Sequence, residues 1–276
     1  MTFAKQFVER EYNNRALVPA HPAYFARWEK DSEFVRETLP AHLDLPYGPH
    51  PRQKIDLFPA GPGARGTLMF IHGGYWRSLD KSMFSWLAAS WVAAGVHMAM
   101  PSYRFAPEVR IDAIVDDIID AANWLAAHGK AHGVPADRLV VSGHSAGGHL
   151  TAALFAAPRE RLHFDPGCIA GGVPFSGIFD FEPMLQFGFN ADFKLDDAAV
   201  ERLSLLDKKR TVGAKLVAAA GGNESSEFQR QTRDLAAAWA PQSLAPLILP
   251  GLDHFSIVDS FAERGQPLYE ATLGLF

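Results

Sequence analysis

Short apolar runs of strand length recur through this chain, and most are followed by a segment with helical period. Thr67-Leu68-Met69-Phe70-Ile71 is almost continuously apolar and stops at His72-Gly73-Gly74. An apolar run without alternation suits a strand covered on both faces, as in a parallel sheet with helices on either side. Residues 83–94 then predict a helix closed by Gly95, and 96–100 predict a strand. Over 111–127, Ile111, Ile114, Val115, Ile118, Ile119, Ala122 and Leu125 form one helical stripe. Asp112, Asp116, Asp117 and Asp120 fall largely off that stripe and read as a solvated face rather than a metal site.

The alternation continues. Strands are expected at 138–142, 169–175, 215–219 and 246–249, with helices at 146–156, 226–239 and 257–273. Upstream, Gln53-Lys54-Ile55-Asp56-Leu57-Phe58 alternates like an edge strand and is closed by Pro59. This order implies right-handed crossovers and an α/β fold with a doubly wound, mostly parallel sheet. Residues 177–211, rich in Pro, Phe and Asp, interrupt the series and are expected as a small cap over the carboxyl ends of the strands. Residues 1–45 are broken by Pro19, Pro22 and Pro40. They are expected to form an N-terminal extension, with short helices at most around Trp28 and Glu33 to Glu37. Together 1–276 reads as one domain.

Composition narrows the function classes. With 48% hydrophobic and 21% charged residues the chain is an ordinary globular one. A net charge of −5 and the absence of a long basic block argue against a nucleic-acid partner; Lys208-Lys209-Arg210 reads as a solvated loop. The one cysteine, Cys168, forms no intrachain disulfide and has apolar neighbours, which suits a structural thiol. The first ten residues lack an apolar signal core, and no apolar run reaches 18 residues, so a cytoplasmic protein without a membrane partner is expected. Homodimerisation remains open.

The chemistry is carried by Gly143-His144-Ser145-Ala146-Gly147. G-x-S-x-G between a buried strand and a helix forms a sharp turn that lifts a serine hydroxyl above the sheet. The flanking glycines relieve crowding at that strained turn. Ser145 is therefore the candidate nucleophile. His72-Gly73-Gly74-Tyr75-Trp76 follows the central strand, where this architecture places half of its oxyanion hole. The amides of Gly74 and Tyr75, with Gly73 as a further candidate, are expected to join that of Ala146 around a developing oxyanion. One such donor stabilises the transition state by roughly 3–4 kcal/mol. His72 is expected to organise the loop rather than act as a base.

A serine hydroxyl needs a base, which comes last in the chain order Ser, acid, His. Of 11 histidines only His254, in Gly251-Leu252-Asp253-His254-Phe255, follows the final expected strand. His128, His132 and His163 sit too early. For the acid, Glu224 follows the strand at 215–219 across Gly221-Gly222, and Asp180 after the preceding strand is the alternative. Asn223 fits only as a support, and Asp253 adjoins His254 in an unfavourable direction. Tyr75, Trp76 and Phe179 are candidate substrate-pocket walls, with Phe175, Phe187 and Phe189 available around an aromatic leaving group.

Five segments together resemble the serine-hydrolase type of kynurenine formamidase (arylformamidase), close to the hormone-sensitive-lipase-like esterases. They are His72-Gly73-Gly74-Tyr75-Trp76, Gly143-His144-Ser145-Ala146-Gly147-Gly148, Ser176-Gly177-Ile178-Phe179-Asp180-Phe181-Glu182-Pro183, Ser226-Glu227-Phe228-Gln229-Arg230-Gln231 and Gly251-Leu252-Asp253-His254-Phe255. The resemblance runs from about residue 50 to the end and implies an α/β-hydrolase fold. It also implies cleavage of N-formylkynurenine to kynurenine and formate, without a cofactor. That family usually carries Asp where Glu224 stands; a longer carboxylate can still orient an imidazole. Relatives with these motifs also hydrolyse other small amides and esters.

Three readings follow: an arylformamidase-like amidase, a carboxylesterase for short acyl esters, and a non-catalytic ligand-binding protein on the same fold. A complete set of Ser145, Glu224 and His254 disfavours the third. The absence of H-E-x-x-H or a similar ligand motif disfavours a metal hydrolase. The expected partner is a small-molecule amide or ester.

Overall fold

The computed structural model describes residues 3–276. Nine strands form one sheet: β1 (His42–Pro46), β2 (Lys54–Phe58), β3 (Thr67–Ile71), β4 (His97–Pro101), β5 (Leu139–His144), β6 (Ile169–Phe175), β7 (Lys215–Leu216), β8 (Ala219–Gly221) and β9 (Leu247–Leu249). Their spatial order is β1-β2-β4-β3-β5-β6-β8-β9, with β7 also paired to β6. The first two pairings are antiparallel and every later one is parallel. Strands β3, β4 and β5 are buried at every position, as their mostly apolar sequences suit.

The helices are α1 (Lys5–Tyr12), α2 (Asn14–Leu17), α3 (His21–Thr38), α4 (Leu87–Ala93), α5 (Ile111–His128), α6 (Ala146–Phe155), α7 (Asn190–Phe193), α8 (Asp197–Leu203), α9 (Ser226–Ala238), α10 (Ser256–Ala262) and α11 (Pro267–Leu273). The core divides into two clusters. One joins the apolar stripe of α5 and the small-residue face of α6 to Met69, Ile71 and Val141. The other joins Trp28 of α3, Trp91 of α4 and Phe261 of α10 to Leu68, Phe70 and Val140. Alternate residues of β3 and β5 thus point to opposite faces, each covered by helices. Among the described residues no helix is long and apolar enough to cross a membrane.

Four expectations change. The segment read as an edge strand is β2, and β1, inside the N-terminal extension, lies outside it. The same extension holds an 18-residue helix, α3, rather than short pieces. Pro22 does not break α3 because it lies in the first turn, where the missing N–H has no intrahelical partner in any case. The helix expected over 257–273 is two, α10 and α11, separated at Gly265-Gln266 before Pro267. Asp117 is not solvated: it is fully buried and accepts from Arg104 Nη2 at 2.6 Å and Gln53 Nε2 at 2.9 Å. A buried carboxylate is tolerated because both oxygens are satisfied and its charge is paired. Asp112 and Asp116 meet Arg202 and Arg161 at the surface.

Candidate active site

Ser145 is the sole residue between the end of β5 and the start of α6. Its backbone is at φ 57°, ψ −117°, a conformation that costs an L residue roughly 1–3 kcal/mol. The surroundings hold it there: its N–H donates to Phe175 O at 3.0 Å, and its carbonyl accepts from His149 N at 3.1 Å. The turn also needs Gly147. A Cβ at that position would lie 1.9 Å from Ile71 O, so only glycine lets α6 pass so close beneath the end of β3.

Glu224 and His254 meet from two successive strand ends. Glu224 Oε1 accepts from the Gly221 N–H at 2.6 Å and from Ser176 Oγ at 2.6 Å, while Oε2 accepts from His254 Nδ1 at 2.7 Å. With Nδ1 carrying the proton toward the carboxylate, the lone pair of His254 falls on Nε2. Gly221 permits the close approach of the two loops, since a Cβ there would stand 2.2 Å from Leu252 O. The His254 ring is packed between Phe228 and His144, with ring centroids 4.8 and 4.6 Å away. Ser145 and His254 line one cavity. No direct hydrogen bond joins their side chains.

The other acid lies elsewhere. Asp180 pairs with Arg230 at 3.2 Å, and its N–H donates to Gln231 Oε1 at 2.8 Å, so it belongs to the anchorage of α9. Asp253 Oδ1 accepts from the N–H groups of Phe255 and Ser256 at 2.8 Å and shapes the turn before α10. Ser176, in Ser176-Gly177-Ile178-Phe179, is a further residue of the site, which the sequence expectations do not include. The signal was there: a hydroxyl directly after β6 emerges at the same sheet edge as the residues following β5 and β8.

The loop after β3 turns sharply, with Gly74, Tyr75 and Trp76 all at positive φ (115°, 52° and 54°). Gly74 is irreplaceable there, because a Cβ would lie 2.0 Å from Ser78 O. Among the described residues the amides of Gly74, Tyr75 and Ala146 find no acceptor. His72 Nδ1 bonds Gly73 O at 2.7 Å, its ring stacks on Tyr103 at 4.3 Å, and Tyr103 Oη donates to His72 O at 2.9 Å. Full burial lowers the His72 pKa to about 4, so the ring is neutral and acts as a strut. Tyr75 Oη donates to the carbonyl of Tyr12, and Asn14 Nδ2 donates to Tyr75 Oη at 3.3 Å.

The cavity at Ser145 measures about 30 Å³ and is walled by Tyr75, Asn14, Arg15, Phe25 and Trp28 as well as His254. The N-terminal helices, expected only to pack on the body, therefore roof Ser145. A second cavity of about 310 Å³ lies outside it, lined by Asn13, Arg15, Tyr75, Arg77, Ser78 and Phe189. Two expected pocket walls are not walls. Trp76 is fully buried, its ring packed in the core against His149, Phe181 and Phe193. Phe179 is also fully buried, its ring wedged against the Gly177 backbone. Phe175 lies in the core beneath the sheet edge, and Phe187 packs behind Tyr75. Among the described residues no group of three His, Cys, Asp or Glu is arranged to hold a metal ion.

A family model described as the α/β hydrolase fold matches residues 68–222, more than half of the chain. The chain belongs to the α/β hydrolase family. This hydrolase is 24% identical to a kynurenine formamidase of Salmo salar over 98% of its own length and 94% of the relative's. A shorter stretch is 40% identical to an ethyl acetate hydrolase of Pseudomonas putida, covering 37% of this chain and 33% of that one. Among solved structures, a candidate thioesterase from Silicibacter sp. TM1040 superposes with a TM-score of 0.86 at 33% identity, over 96% of this chain and 98% of the other. The α/β hydrolase fold and the hydrolase class read from the sequence agree with these relationships.

Proposed function

We propose that this α/β hydrolase is a serine hydrolase of the arylformamidase type, converting N-formylkynurenine to kynurenine and formate through a formyl-enzyme. The observation that carries the mechanism is the hydrogen bond of His254 Nδ1 to Glu224 in a cavity shared with Ser145. His254 Nε2 takes the proton of Ser145 Oγ as the oxygen attacks the formyl carbon. The negative charge on the former carbonyl oxygen is met by the amides of Gly74, Tyr75 and Ala146. His254 then gives its proton to the amine nitrogen as the C–N bond breaks, and the aromatic amine leaves. Water, deprotonated by the same imidazole, attacks the formyl ester; formate departs and Oγ regains its proton. Glu224 stabilises the imidazolium in both halves.

A cavity of about 30 Å³ supports a one-carbon acyl group, since a single water needs roughly 10–15 Å³ by this measure. The full-length likeness to a protein named kynurenine formamidase supports the same substrate. Hydrolysis of short acyl esters is the second reading, favoured by the local likeness to an ethyl acetate hydrolase. Turnover of N-formylkynurenine measured beside p-nitrophenyl acetate and butyrate separates them. The formamidase reading expects kcat/KM for N-formylkynurenine to exceed that for butyrate by at least tenfold. Turnover of the esters with none of the formamide would replace it with the second.

A further inference from the structure

Arg15 stands between the inner and outer cavities and, with Tyr75, lines both. Two arginines face the outer cavity, and they differ. Arg77 is committed, paired with Asp192 at 2.9 Å and lying 4.4 Å over the Phe189 ring. Arg15 touches only the face of Phe25, with Cζ 5.6 Å from the ring centre, and among the described residues no carboxylate pairs with it. Its backbone is held firmly nonetheless. Asn13 caps α2 by accepting from Ala16 N at 3.3 Å, and Asn14 bonds Tyr75. An exposed positive charge with no carboxylate partner among the described residues thus borders the cavity that holds Ser145, in a chain whose net charge is −5.

We propose that Arg15 is the anchor for a carboxylate on the substrate's leaving group, and that the outer cavity, floored by Tyr75 and Phe189, is the leaving-group site of an anionic aromatic substrate. The proposal deepens the formamidase reading and rests on it for the reaction, though not for the binding. The acyl carbon sits in the small inner space, and the bond to be cut lies between the two cavities. The aromatic part then lies in the outer space against Tyr75 and Phe189, with its acid group within reach of the guanidinium. A guanidinium offers a carboxylate two parallel N–H donors, which a neutral isostere of the acid cannot exploit. One charge-assisted contact of this kind corresponds to a preference of about 10- to 100-fold for the acid over its amide.

The test is binding, which does not depend on turnover. Calorimetry on the intact protein and on Arg15→Met compares kynurenine with kynurenine amide as probes, with circular dichroism to verify that the exposed substitution leaves the fold unchanged. The expected result is that the intact protein prefers the acid by at least tenfold and that Arg15→Met loses most of that preference. Arg15→Lys, which keeps the charge but not the fork, should retain part of it. Equal affinities for acid and amide in the intact protein, or a preference that survives Arg15→Met, would overturn the proposal. An Arg15-dependent preference without any turnover of N-formylkynurenine would leave the anchor standing and remove the formamidase reading instead.

Discussion

The hydroxyl of Tyr75, in the loop after β3, donates its proton to the backbone carbonyl of Tyr12 at the end of α1. The loop that supplies the amides above Ser145 is therefore fastened to the N-terminal helices rather than to the sheet alone. Tyr12 is fixed in turn, its own hydroxyl donating to Glu227 at 2.7 Å and accepting from Gln231 Nε2 at 2.7 Å.

Tyr75→Phe removes this tether and the bond from Asn14 while keeping the ring. Loss of hydrogen bonds worth about 1 kcal/mol each predicts a fall in kcat of roughly tenfold. The melting temperature should fall by only a few degrees, because the ring still packs on Phe187. Steady-state rates on p-nitrophenyl acetate with a parallel thermal melt give the answer; an unchanged kcat would show that the tether does not shape the loop.

Ser145→Ala should abolish hydrolysis of both formamide and ester substrates, together with covalent labelling by a fluorophosphonate. Intact-mass spectrometry reads the adduct directly. Labelling that persists in the variant would place the nucleophile elsewhere.

Glu224→Gln leaves the shape but removes the charge and the tautomer control behind His254, so kcat should fall by about 10³–10⁴-fold. Ser176→Ala withdraws one of the three donors that fix the carboxylate, with an expected loss of about tenfold. Asp180→Asn should keep activity within about threefold, since Asp180 pairs with Arg230 and not with His254. The reverse ranking of the two acid variants would move the acid to Asp180.

Acid sensitivity of the fold follows from buried neutral histidines. Burial lowers the pKa of His72 to about 4 and of His149 to about 3, against 6.5 for an exposed imidazole. The unfolded chain binds these protons first, so stability is full above pH 6.5 and declines as pH falls toward 4. Each such histidine contributes a slope of about 1.4 kcal/mol per pH unit within that window. Urea midpoints measured between pH 7 and pH 5 should drop steeply, and more shallowly in His149→Gln. Parallel slopes for the two proteins would contradict the assignment.

Much of this was written in local sequence. The largely apolar runs of β3 and β5 match buried central strands, and the turn at Ser145 is legible because glycines flank a serine between a strand and a helix. What escaped depends on contacts between distant parts of the chain. Nothing near Asp117 announces that Arg104 and Gln53 meet it in the interior. Nothing near Trp76 reveals that His149, Phe181 and Phe193, more than 70 residues away, enclose its ring. The prolines of residues 1–45 concealed α3, because the position of a proline within a turn decides whether it breaks a helix. Ser176 follows the same logic: its partner, Glu224, lies 48 residues away.

The roof over Ser145 has a consequence in time. Tyr12 bonds partners in α9 that lie 215 and 219 residues further along, and Trp28 donates to Asp259 across 231 residues. During synthesis the first helices leave the ribosome long before the groups that seat them exist. Ser145 and the strands through β6 precede Glu224, His254 and the partners of Tyr12 and Trp28 along the chain. Under the proposed chemistry, a nascent or C-terminally truncated chain therefore carries Ser145 without its acid, its base or the contacts that seat its roof, and is expected to be inert toward acyl compounds until α9 and α10 are made.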